Sequence, residues 1–155
     1  MPFMTLDELR AHLARSPFIR RLGLEVAAAD PDRSTLTMHL PWRADGEAAD
    51  GQGTWHGGPI AALIDTAGAF AATMVAGRDC GTVSMLVDYV RAARGDLVAR
   101  AVVRKAGRTL TVAQAEVAAA EAMRCIIVVQ VIGVCDASGK VCALGRGTFF
   151  VSAAG

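Results

Sequence analysis

Aromatic side chains are scarce in this sequence: five Phe, two Trp and one Tyr make up 5% of its 155 residues. Charge of one sign is not in excess either, because the formal net charge is only +1. Without a basic stripe interleaved with aromatics there is no footprint for nucleic acid. Nor is there a basis for attraction to an anionic membrane surface. The four cysteines (Cys80, Cys125, Cys135 and Cys142) show neither a CxxC pair nor Cys/His spacing, which excludes the common zinc modules. Cys125, Cys135 and Cys142 stand in apolar, strand-like surroundings and are read as reduced core thiols. The N-terminal stretch MPFMTLDELRAHLARSPF has no continuous apolar segment and carries Asp7, Glu8, Arg10 and Arg15. A secretory signal is therefore not expected, and a cytoplasmic location is.

What the chain does have is apolar content, 53% of it, much of it Ala and Val. Such small residues suit elements that approach closely and a sizeable subunit interface. One domain, residues 1–155, is expected at this length. Thr5 followed by Glu8 is a capping box, and Leu6, Leu9 and Leu13 recur at helical spacing, so a short helix is predicted over about residues 5–15, stopped by Ser16-Pro17. In RLGLEVAAADPDRSTLTMHLPW the alternating Leu24/Val26 and Leu36/Met38/Leu40 flank the turn chemistry of DPDR, which predicts a hairpin. Residues 43–54, RADGEAADGQGT, form a loop rich in Gly and Asp.

The stretch TWHGGPIAALIDTAGAFAATMVAG (54–77) then reads as a helix entered at Gly57-Gly58-Pro59 and ended by Gly77. Ile60, Leu63, Ile64 and Ala67 follow the helical spacing, and the other faces are Ala and Gly. A helix apolar nearly all round is buried on most sides. One carboxylate, Asp65, interrupts it. In a bilayer centre an Asp costs about 2.5–3.5 kcal/mol, so the segment is read as the core helix of a soluble protein. Inside a protein an uncompensated carboxylate is also costly, so Asp65 is expected to serve either as a satisfied polar residue or in chemistry.

Four β-like segments follow, at 81–93, 95–109, 110–117 and 140–151, separated by turn signals at Gly95-Asp96, Gly107 and Ser138-Gly139. The order helix, hairpin, long helix, strands predicts an α+β fold in which an antiparallel sheet curls around one helix. The stretch 118–134, AAAEAMRCIIVVQVIGV, does not fit that order and is read as an atypical insertion. Its run Ile126–Val134 carries no charge and must be paired or covered. Either the hairpin extends there or an extra strand lies at an interface.

The pattern GxxHGGxxxxLxDxA, here Gly53, His56, Gly57, Gly58, Leu63, Asp65 and Ala67, resembles the hotdog-fold acyl-CoA thioesterases of the phenylacetate-pathway (PaaI-like) type. LGLEV, TVSMLVDYVRAA, KAGRTLTVAQAEV and DASGKVCALGRGTFFV extend the resemblance over nearly the whole chain except 118–134. It implies a hotdog fold with subunits paired so that their sheets become continuous. It further implies a homodimer, assembling into a homotetramer, with active sites at the dimer interface. The implied activity is hydrolysis of an aryl- or medium-chain acyl-CoA to free acid and CoA. No metal or redox cofactor is implied, since coenzyme A is part of the substrate.

Position by position, the resemblance places Asp65 on the catalytic carboxylate and Gly57 on the helix-entry amide that polarises the thioester carbonyl. Thr82 falls where some members hold a hydroxyl that assists the attacking water, and His56 belongs to the HGG turn. The chemistry agrees: a thioester needs mainly a base or nucleophile and a donor for the developing oxyanion. Unpaired N–H groups at a helix start are such donors. Gly57 is otherwise a turn glycine, Gly58 permits close approach of substrate, and His56 either ties down the entry loop or polarises the carbonyl. Many relatives carry Asn or Gln where this chain has Asp50, and an ionised carboxylate accepts hydrogen bonds but cannot donate them. Arg91, Lys105 and Arg108, with Arg94 and Arg104 nearby in sequence, are candidates to grip the phosphates of CoA, although strand charges are mostly just solvated. Asp65 can act as general base or as nucleophile. Two other functions remain open: a non-catalytic acyl-CoA-binding hotdog protein, and a hotdog enoyl-CoA hydratase or dehydratase using His56 with Asp65.

Overall fold

A computed structural model describes the backbone of residues 3–107 and 126–151 and the side chains of 3–104 and 133–151. The N-terminal helix α1 (Leu6–Leu13) starts as its sequence dictates. Thr5 Oγ1 accepts from the Glu8 amide at 3.3 Å while the Glu8 carboxylate accepts from the Thr5 amide at 2.7 Å, closing the capping box. Leu9 and Leu13 turn inward and are buried. The helix ends at Leu13 with Ala14 as its C-cap, short of Ser16-Pro17, which start another helix. Ser16 caps the short α2 (Pro17–Leu22) by accepting from the Ile19 amide, with Pro at the first helical position, where no N–H is needed.

The predicted hairpin is present as β1 (Glu25–Asp30) and β2 (Thr35–Leu40), paired antiparallel. Burial alternates along β2, with Leu36, Met38 and Leu40 fully inside. The loop that follows holds only a single 3-10 turn, Ala44–Gly46. The long helix α3 (Gly57–Ala76) ends where Gly77 takes a left-handed φ of 68°. Three strands complete the sheet in addition to β3 (Cys80–Tyr89): β4 (Leu97–Gly107), β5 (Ile126–Cys135) and β6 (Val141–Val151).

The six strands among the described residues belong to one antiparallel sheet in the order β1-β2-β4-β5-β6-β3. This is the hotdog arrangement of an antiparallel sheet wrapped round a central helix. The uncharged run Ile126–Val134 lies within β5, hydrogen-bonded to β4 on one side and β6 on the other, so it is an internal strand of the sheet. That pairing satisfies its backbone groups on both edges. Residues 110–117, read from the sequence as a strand, lie outside the described residues, as does 118–125.

The sheet buries α3. Leu63, Ile64, Ala67, Ala71 and Met74 have no exposed surface, and truncating a Leu or Ile in such a place costs about 2–5 kcal/mol. Gly145 of β6 lets the helix lie this close: a Cβ there would strike the side chain of Ile64. By length and composition α3 could cross a membrane, yet 61% of its apolar window is buried inside the molecule. One stripe of α3 stays open. Ala61, Ala62, Asp65 and Ala69 are only half-buried, and they recur at the spacing of a single helix face. They flank β3, an edge strand on which Val83, Leu86 and Tyr89 are 48%, 44% and 53% exposed.

Candidate active site

His56 is the N-cap of α3. Its backbone is extended, and its Nδ1 accepts from the Gly58 amide at 2.9 Å, satisfying one of the donors that a helix start leaves over. Its own N–H donates to Gly46 C=O at 2.8 Å, which fixes the entry loop to the helix. His56 Nδ1 is thereby engaged as an acceptor. Gly57 and Gly58 are the first two residues of α3, so their amides sit at the positive end of the helix dipole.

The entry loop is held from several sides. The Glu47 carboxylate accepts from the amides of Gly51 and Gly53, at 2.9 and 3.0 Å. Arg94 Nη1 donates to Gln52 C=O at 2.7 Å, so this arginine anchors the loop. Buried Trp55 donates its indole N–H to Gly95 C=O at 2.7 Å and meets Trp42 edge-on, centroids 4.8 Å apart. Asp50 stands exposed at the outer part of the same loop.

Eight residues along α3 from Gly57, Asp65 receives a hydrogen bond at Oδ1 from Thr82 Oγ1 at 2.7 Å. Thr82 is on β3 immediately before the irregularity in its pairing with β6. The carboxylate is half-buried in the single chain, more open than the apolar sequence around it suggests. The reason is the uncovered stripe of α3: the sheet curls round the opposite faces and stops at β3.

An open cleft of about 440 Å³ lies at the helix entry, lined by Trp55, Gly57, Ile60 and Tyr89–Ala93. It brings Gly57 and Arg91 together. Arg91 is exposed at its edge, close enough to the Asp136 turn to add to the lowering of that carboxyl below its ordinary range. The main cause of the lowering is the Ser138 hydroxyl, with the Lys140 and Ser138 amides contributing. Asp65, Thr82, His56, Gly58 and Asp50 do not line this cleft. The Lys105 side chain and Arg108 lie outside the described residues. Among the described residues no group of three or more His, Cys, Asp or Glu could hold a metal ion.

Two residues of this region escaped the sequence reading. Tyr89 and Trp55 both wall the cleft, and Tyr89 bonds directly to Gly57. The signal available was rarity: a chain with one Tyr and two Trp has placed two of the three at the helix entry.

Comparison with known proteins agrees with this architecture. A family profile described as "Thioesterase superfamily" matches residues 52–126. A protein of Halobacterium salinarum, named as a candidate esterase, is 33% identical over 133 residues, covering 83% of this chain and 81% of its own. The crystal structure of zebrafish thioesterase superfamily member 2 superimposes with a TM-score of 0.72 at 26% identity, covering 96% of this chain and 99% of the other. The Escherichia coli PaaI protein, from the phenylacetic acid degradation operon, superimposes with a TM-score of 0.69 over 96% of this chain and 97% of its own. At 20% identity that is a likeness of fold.

Proposed function

Because the chain belongs to the thioesterase superfamily, we propose that it hydrolyses the thioester of an aryl- or medium-chain acyl-CoA, with Asp65 activating water and the Gly57 amide receiving the oxyanion. One geometric relationship supports this reading and shapes it. Gly57 and Asp65 are eight residues apart on one helix, which at 1.5 Å per residue separates them by about 12 Å along its axis. A donor and a base serving one carbonyl each reach only about 3 Å to their target. The Gly57 and Asp65 of a single chain therefore cannot meet on one thioester. A second copy, its α3 laid antiparallel against the open stripe of Ala61, Ala62, Asp65 and Ala69, brings Asp65 of one subunit to Gly57 of the partner subunit. The exposed edge of β3 supports the same pairing, since an edge with exposed Val83 and Leu86 and no partner strand among the described residues is a template for another strand. We take the working unit to be a cytoplasmic homodimer, able to assemble further into a tetramer, with no cofactor beyond the CoA of its substrate.

In this mechanism the Thr82 hydroxyl occupies Oδ1 and leaves Oδ2 to accept from water. As the water oxygen attacks the thioester carbon, its proton passes to Asp65 and the carbonyl oxygen gains charge against the Gly57 N–H. Collapse of the tetrahedral adduct breaks the C–S bond. The proton moves from Asp65 to the departing thiolate, giving free acid and CoA. Arg91, at the edge of the cleft, is the described cation placed to meet phosphate. The engagement of His56 Nδ1 by Gly58 disfavours a hydratase reading, in which that ring would carry the acid-base work.

The test is thiol release from a panel of aryl- and alkyl-CoA thioesters by the wild type and by Asp65→Asn. Loss of about 100-fold or more in kcat with substrate binding kept supports the reading. Tight binding with no release from any member of the panel by the wild type supports an acyl-CoA-binding protein instead. Hydration of crotonyl-CoA would support the hydratase.

A further inference from the structure

The one tyrosine of the chain ends the edge strand β3 and reaches back to the start of α3. Its phenolic O–H donates to the Gly57 carbonyl at 3.0 Å. The ring covers the same residue: a Cβ added to Gly57 would stand 3.3 Å from Cζ and 3.4 Å from both Cε1 and Oη of Tyr89. One glycine is thus gripped at its carbonyl and at its α-carbon.

Neither contact is needed to satisfy the polar groups. A carbonyl in the first turn of an α-helix already accepts from the amide four residues on, and a phenol 53% exposed can bond to water. What the contacts do supply is restraint. Gly57-Gly58 is a pair with the widest backbone freedom of any residue type, at a helix end, where the chain frays most readily. Neither residue has a side chain to pack. Beyond the backbone hydrogen bonds of the helix itself, the described bonds that reach the pair are His56 Nδ1 on the Gly58 amide and Tyr89 on the Gly57 carbonyl. Tyr89 is also a wall of the cleft that Gly57 lines, so both residues border whatever occupies it.

We propose that Tyr89 is the positioning residue of the oxyanion site: its hydroxyl and ring hold the Gly57 backbone so that the amide stays directed into the cleft. The proposal rests on Gly57 as the oxyanion donor. It adds that the donor's aim is set from β3 and not by the helix alone. An oxyanion donor works only if it already points where charge develops, and a misdirection of about 1 Å costs on the order of 100-fold at the extreme.

The experiment compares wild type, Tyr89→Phe and Asp65→Asn in thiol release, in thermal unfolding, and in the position of the Gly57 amide resonance in 1H–15N NMR spectra of the intact protein. Tyr89→Phe keeps the ring and removes only the donor. The expected result is a kcat lowered roughly fivefold, the loss typical of one hydrogen bond. KM should stay within about twofold, the unfolding midpoint should fall by no more than about 2–4 °C, and the Gly57 resonance should be displaced. A wild-type kcat and an unmoved Gly57 resonance in Tyr89→Phe, beside a collapsed Asp65→Asn, overturn the positioning role and leave the thioesterase reading standing. A wild type that releases no thiol overturns both, and a displaced Gly57 resonance would then mark Tyr89 as a tether of the helix entry only.

Discussion

Thr82 Oγ1 donates to Asp65 Oδ1 across 2.7 Å, which ties the edge strand of the sheet to the one carboxylate of the core helix. A hydrogen bond to a charged acceptor is worth about 1.5–3 kcal/mol, enough to select one rotamer of Asp65 on an otherwise uncovered face. Thr82→Ala is expected to lower kcat on the order of tenfold while leaving the fold intact, and Thr82→Ser to restore most of it. Steady-state kinetics of the three proteins decide the matter; equal kcat values would remove Thr82 from the mechanism.

The 12 Å spacing of Gly57 and Asp65 has a consequence that mixing reveals. Asp65→Asn and Gly57→Val are each expected to be inactive alone, the latter because its side chain would meet Tyr89. Co-refolded in equal amounts, half of the dimers pair one chain of each kind. Each such dimer regains one of its two sites, so about a quarter of the wild-type activity should return. If mixing restores nothing, the base and the donor act within one chain.

His56 can be tested through stability instead of turnover. Removing an N-cap acceptor costs about 1 kcal/mol, which for a chain of this size lowers the unfolding midpoint by about 2–4 °C. His56→Ala should show that loss by differential scanning calorimetry. His56→Asn, which caps equally well, should not. A large loss of activity in His56→Asn at an unchanged midpoint would give the imidazole a chemical role.

Acid sensitivity should trace in part to Asp96. Its carboxyl is held below the ordinary carboxylate value chiefly by the Trp42 amide and then by the His39 side chain. A carboxylate that binds protons less readily when folded adds stability above its unfolded value, and that stability is lost as the pH falls through the folded value. For Asp96 the loss therefore lies at and below about pH 4. Melting curves between pH 3 and 7 should show a shallower acid decline for Asp96→Asn than for the wild type. Because the group is exposed, the effect should also shrink at high salt.

The elements whose signals are local were legible in the sequence. The capping box of Thr5 and Glu8, the alternation of Leu36, Met38 and Leu40, and the span of α3 each depend on neighbours within a few residues, and each stands where its pattern put it. The short helix at Pro17–Leu22 was hidden because Ser16-Pro17 reads as a stop signal, whereas the first helix has already ended at its Ala14 cap and the pair opens the next. The strand Ile126–Cys135 was ambiguous because an uncharged β-prone run fits an inner strand and an interface equally well; only long-range pairing with β4 and β6 decides. In the candidate site, Asp65 stands out in the sequence as the one carboxylate of an apolar helix and Gly57-Gly58-Pro59 as its entry, while their roles are what the family resemblance implies. The grip of Tyr89 on Gly57, thirty-two positions away, does not: no periodicity links the end of a strand to the start of a preceding helix.

The pairing of Trp42 with Trp55 makes the chain its own probe. These are its only two indoles, they touch each other, and one of them is a wall of the cleft beside Gly57. Intrinsic emission excited at long wavelength therefore comes from a single locus at the helix entry. A quench or colour shift on adding an acyl-CoA would register occupancy of that cleft, free of signal from the rest of the fold. A titration by fluorescence can thus weigh candidate acyl groups before any of them is shown to be hydrolysed.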